Sequence, residues 1–114
     1  MAHMKQTITA MMNGRGIQIG TANGYTVSIG FGPSHYCENY HHGYNTEAKP
    51  TSTMEVAILN KGHFVCLPYD VAANVPVSQL GDLVAAVECN DWARVCFLCG
   101  ESDDDPDNKF PKKV

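Results

Sequence analysis

Asn23-Gly24 is the feature that most constrains this chain. The pair readily takes positive φ at both central positions of a type I′ turn, the turn whose twist matches two antiparallel strands. Its flanks agree with that geometry. Ile17-Gln18-Ile19-Gly20-Thr21 alternates apolar and polar residues, as a half-buried strand requires. Tyr25 to Phe31 alternates again, with Tyr25, Val27, Ile29 and Phe31 on one face and Thr26, Ser28 and Gly30 on the other. A β-hairpin from Ile17 to Phe31 is therefore expected, ended by Gly32-Pro33.

A second hairpin follows the same logic. Thr53 to Leu59 places Met54, Val56 and Ile58 on one face. Asn60-Lys61-Gly62 forms a short connection, and His63 to Leu67 pairs back until Pro68 stops it. Val71 to Pro76 is expected to be a linker. Ser78 is the expected N-cap of a helix whose Leu80, Leu83, Val84 and Val87 recur at i, i+3, i+4 and i+7, with Asp82 near the favourable end of the dipole. Ala93 to Cys99 is ambiguous: Val95, Cys96, Phe97 and Leu98 favour a buried strand, while Asp91 offers a cap for a second short helix. A strand is the preferred expectation. Thr7 to Met12 suits a short strand or one helical turn. The expected class is α+β: an antiparallel sheet of four to five strands from two hairpins, with one helix packed on a face.

The chain of 114 residues supports one domain, expected over residues 4–100. Met1-Ala2-His3 matches a cloning junction and is set aside. Residues 101–114 hold five acidic and three basic residues and two prolines, an acidic and expectedly flexible C-terminal tail. A net charge of −4 speaks against a nucleic-acid partner. No apolar run approaches the ~20 residues a membrane span needs. Without an export signal the expected compartment is the cytoplasm. The five cysteines, an odd number in such a chain, argue against a disulfide framework.

Residues Asn23 to Gly32, followed by Tyr36-Cys37-Glu38-Asn39, resemble a pattern in small uncharacterised bacteriophage proteins. There an Asn-Gly-aromatic hairpin runs into a strand and a Tyr-Cys-x-Asn motif, and Glu55-Val56-Ala57-Ile58 also fits. The resemblance covers roughly residues 20–60 and leaves out Cys96, Cys99 and the tail. It implies a phage accessory protein acting in a host cytoplasm, and it implies no activity.

Three side-chain groupings carry candidate chemistry. His35, Tyr36, Tyr40, His41, His42 and Tyr44 lie in one long connection, where tyrosine offers a rigid face with a hydroxyl and histidine a donor that titrates near neutrality. That composition suits a binding loop for a host or phage protein or a small ligand. It also suits a lid that covers one sheet face with its aromatics. In the lid-and-contact version, Tyr36 and Cys37 turn inward while His41, His42 and Tyr44 stay exposed. Second, Cys96-x-x-Cys99 is half a zinc site, which Cys37 and His41 would complete. In a strand, residues three apart point to opposite faces, which opposes that site. Third, Cys37 near His35, His41 and His42, with Asp70 to orient a ring, has the components of a small cysteine enzyme but no local signature of one. The first grouping is preferred: a non-catalytic binding module with no cofactor, no catalytic residue and no membrane or nucleic-acid role.

Overall fold

The computed structural model describes residues 5–10, 15–32, 50–65, 67 and 70–100. Among them the chain runs through β1 (Thr7–Ala10), β2 (Gly16–Gly20), β3 (Tyr25–Gly30), β4 (Thr53–Asn60), β5 (His63–Val65) and β6 (Ala72–Pro76). A 3₁₀ turn (Val77–Gln79), α1 (Leu80–Glu88) and α2 (Trp92–Leu98) follow. Every strand pairing is antiparallel, so the α+β class stands. Strands β1 to β4 form a meander. The far edge of β4 is shared: β5 pairs with Ile58 to Asn60, and β6 with Thr53 to Val56. Six strands thus occupy five positions across the sheet.

Strand register builds the core. Val27 lies opposite Ile58, and Ile29 opposite Val56, so the apolar sides of β3 and β4 fall on one face. These four residues join Met54, Leu67, Ala72 and Val75 under Leu83, Ala86 and Val87 of α1. Each Val, Leu, Ile or Met among them contributes about 1.5–3 kcal/mol by leaving water, and the two alanines less.

The segment expected to be a linker is β6. Ala72 and Val75 are three residues apart, so a regular strand would point them to opposite faces. A register shift between Met54 and Val56, with Asn74 at φ 53°, brings both inward. The alternation is thereby erased from the sequence. Residues 7–10 take the strand option, as β1. Ser78 does not cap α1: it sits inside the 3₁₀ turn, which has no side-chain capping bond. The expected helical face holds, with Leu83 and Val87 buried and Leu80 and Val84 packed against the core.

Ala93 to Cys99 is helical, not a strand, and a one-helix packing becomes a two-helix layer. The cause lies at the junction. Asn90 takes the left-handed conformation at φ 57°, its N–H donates to Val87 O at 3.1 Å, and the Asp91 N–H donates to Ala86 O at 2.9 Å. This closes α1 with a Schellman motif. Asp91 then caps α2, its Oδ1 accepting from the Arg94 N–H at 3.3 Å. Trp92, Val95, Cys96 and Cys99 fall at i, i+3, i+4 and i+7 and are buried, while Phe97 is 73% exposed. A strand would have buried Phe97 on the face of Val95. Helix α2 therefore supplies apolar cover that a one-helix layer would have left to the 35–44 loop.

The first turn also departs from expectation, and it joins sheet to helices. Only Gly24 has positive φ, at 92°; Asn23 does not. The Gly24 N–H donates to Thr21 O at 3.1 Å, and the Thr21 N–H to Tyr25 O at 2.8 Å, the pattern of a three-residue hairpin loop. Type I′ dihedral signs occur instead at Lys61 (φ 53°) and Gly62 (φ 81°), between the paired residues Asn60 and His63. The longer loop frees the Asn23 side chain, whose Nδ2 donates to Val87 O at 2.8 Å and to Asn90 Oδ1 at 3.2 Å. Buried Thr21 supports it, its hydroxyl donating to Asn23 Oδ1 at 2.6 Å. Glu88 accepts from the Ala22 N–H at 2.9 Å through Oε2 and from Gln6 through Oε1. Tyr25 and Trp92 meet edge to face at 4.9 Å.

Asp91→Ala should lower stability by about 1 kcal/mol, the usual value of an N-cap, and Asp91→Asn should restore most of it. Thermal unfolding of the three proteins measures this. Equal midpoints for wild type and Asp91→Ala would show that the cap contributes nothing.

Candidate functional site: the loop end of the sheet

The connection that holds the His/Tyr grouping leaves the sheet from its centre. Gly30 of β3 faces Glu55 of β4, so the two stems are direct neighbours. Each is fastened to a separate element. On the outgoing side the Phe31 N–H donates to Arg15 O at 3.0 Å. On the return side the Val77 N–H donates to Ser52 O at 2.9 Å, tying the stem to the 3₁₀ turn. The Thr51 hydroxyl donates to Thr53 O at 2.7 Å and accepts from the Thr53 N–H at 3.3 Å, a local turn that sets the entry into β4.

Close packing fixes the outgoing stem further. A Cβ on Gly32 would lie 2.6 Å from Arg15 Cβ and 2.8 Å from its Cγ. The Cβ is fixed by the Arg15 backbone, so no rotamer change can withdraw it; only the Cγ and the carbons beyond it can swing away. In the sequence Gly32 reads only as a strand terminator, and Arg15, Thr51 and Ser52 do not stand out. The run of hydroxyl side chains Thr51-Ser52-Thr53 after Pro50 is the local signal for the turn at the return stem. Nothing local signals that Arg15 would lie over Gly32.

His35, Tyr36, Tyr40, His41, His42 and Tyr44 lie outside the described residues, and so does Cys37. The expected inward turn of Tyr36 and Cys37 lies there too. Asp70 is placed in a turn between β5 and β6, its N–H donating to Leu67 O at 3.1 Å and its φ at 68°. Cys96 on α2 and Cys99, the residue that caps its C-terminus with its N–H donating to Val95 O at 3.0 Å, are buried one turn apart on the same face. Among the described residues no three or more His, Cys, Asp or Glu side chains group to hold a metal. No described helix is long and apolar enough to cross a membrane. Comparison with protein-family models, curated proteins and solved structures finds no match.

Gly32→Ala should be destabilising by about 1–3 kcal/mol through overpacking against Arg15. Gly81→Ala, in an exposed turn of α1 with nothing within 4 Å of the added carbon, should instead stabilise, by about 0.5–1 kcal/mol. Urea unfolding of both variants tests the pair. A neutral Gly32→Ala would mean that the stem is not held by this contact.

Proposed function

We propose that this protein is a small phage-type accessory protein that acts as a non-catalytic binding module. Its contact surface is His35, Tyr36, Tyr40, His41, His42 and Tyr44, and its partner is a host or phage protein or a small ligand. The register at the loop end carries this reading. Two neighbouring antiparallel strands need only a two-residue connection, and β4 and β5 use just that at Lys61-Gly62. Between the neighbours β3 and β4 the chain instead inserts residues 31–52, which the fold does not require for pairing. An insertion of that length, carrying three tyrosines and three histidines on stems tied to Arg15 and Val77, suits contact with another molecule.

Changing Tyr36, Tyr40 and Tyr44 together to Ala should leave the thermal midpoint within a few degrees of wild type. It should also remove the protein that the wild type captures from host lysate. Equal capture by the triple variant would take the contact surface away from these residues.

A second reading is favoured by one observation. Helix α2 and its C-cap put Cys96 and Cys99 on the same face, which removes the geometric objection that a strand would raise to a shared zinc ion. Cys37 and His41 would complete a four-ligand set. Metal analysis after purification without chelator decides it. Near-stoichiometric zinc whose removal by EDTA lowers the melting temperature supports the site; less than about 0.1 equivalent, with no EDTA effect, excludes it.

A further inference from the structure

We propose that Asn23 is a deamidation site which the native fold holds closed, and that its conversion removes the contact between the β2–β3 turn and the helix junction. Asn-Gly is the dipeptide most open to this reaction, because glycine sets no side chain against the attacking backbone. The Gly24 nitrogen gives its proton to solvent hydroxide and bonds to Asn23 Cγ. The Cγ–Nδ2 bond breaks, and Nδ2 takes a proton from water and leaves as ammonia. Water then opens the resulting succinimide at either carbonyl, giving aspartate or isoaspartate. One water is consumed, one ammonia is released, and no atom is oxidised or reduced.

The fold restrains both reacting groups. The attacking Gly24 N–H is tied to Thr21 O at 3.1 Å. The departing Nδ2 donates to Val87 O at 2.8 Å and to Asn90 Oδ1 at 3.2 Å. The carbonyl side of the amide is held by the Thr21 hydroxyl at 2.6 Å. Attack on Cγ needs the side chain to swing over the Gly24 nitrogen, which breaks these contacts together. The rate therefore follows the opening of the turn from the helices.

The product does not fit back. A carboxylate has no N–H to give Val87 O, and it would face the Asn90 oxygen. It would also stand beside Glu88, which already accepts from the Ala22 N–H at 2.9 Å. The C-terminal end of α1, where all of this takes place, carries the negative pole of the helix. Each term repels a second anion, so an event that needs one opening leaves the turn undocked.

The test uses the whole chain at pH 8, native and in urea above its unfolding transition, with peptide mapping over time. In urea, Asn13-Gly14 gives a second Asn-Gly pair in the same chain against which the unfolded rate is checked. Asn23 should deamidate at least about tenfold more slowly in the native protein than in urea. N23D should melt about 5 °C or more below wild type. Equal Asn23 rates in the two conditions overturn the proposal, as does an N23D variant that melts with wild type. If N23D does not fold, the rate comparison in the wild-type chain decides alone.

Discussion

The amide of Asn23 donating to the last turn of α1 is the contact on which the arrangement of sheet and helices depends. One side chain from the tip of a hairpin reaches Val87 O and Asn90 Oδ1 and so fixes where the two-helix layer ends relative to β2 and β3. Thr21 makes this possible by holding the amide from behind, and it is 1% exposed. A hydroxyl so deep in the protein stays favourable only because its hydrogen-bonding capacity is used, by Asn23 and by the backbone of Tyr25. Tyr25 and Trp92 then close the apolar side of the same joint.

Glu88 shows which of two opposed effects wins there. A carboxylate at a helix C-terminus is disfavoured by about 0.3–1 kcal/mol through the dipole. Its hydrogen bond to the half-buried Ala22 N–H, as a charged acceptor, is worth about 1.5–3 kcal/mol. The exposed bond from Gln6 adds little. The balance favours docking, and a residue that breaks a local helix rule is retained by a tertiary contact. The exposed Asp82–Arg94 pair, at 3.7 Å between α1 and α2, is a minor contribution by comparison.

The helical segment thus has an anchor at each end. Val77 holds to Ser52 at the loop end of the sheet, and Val87 to Asn23 at the other. Beneath it, the paired residues Val27 with Ile58 and Ile29 with Val56 form the apolar floor. This places the two stems of the β3–β4 connection at the end of the sheet opposite the joint, on two central strands whose register is fixed. The stems are built for rigidity, with Gly32 packed against Arg15 and Ser52 tied to the 3₁₀ turn.

The two hairpins and the apolar face of α1 were legible because they rest on local periodicity, which a chain carries wherever it is placed. Alternation in Tyr25–Phe31 and Met54–Ile58, and the i, i+3, i+4, i+7 spacing from Leu80 to Val87, each needed only neighbours within one element. What tertiary structure alone decided are the places where a long-range contact outweighed a local preference. Asn23 gave up the left-handed conformation its pair favours because its side chain was wanted at Val87. Ala72 and Val75 lost strand alternation to a bulge that turned both toward the core. Phe97 went to solvent because a Schellman motif ending in Asp91 started a new helix at Trp92, and only the packing of that helix tells Phe97 from Val95. Arg15 over Gly32 belongs to the same class: the two residues are far apart in sequence, and pairing through β2 and β3 is what brings them together.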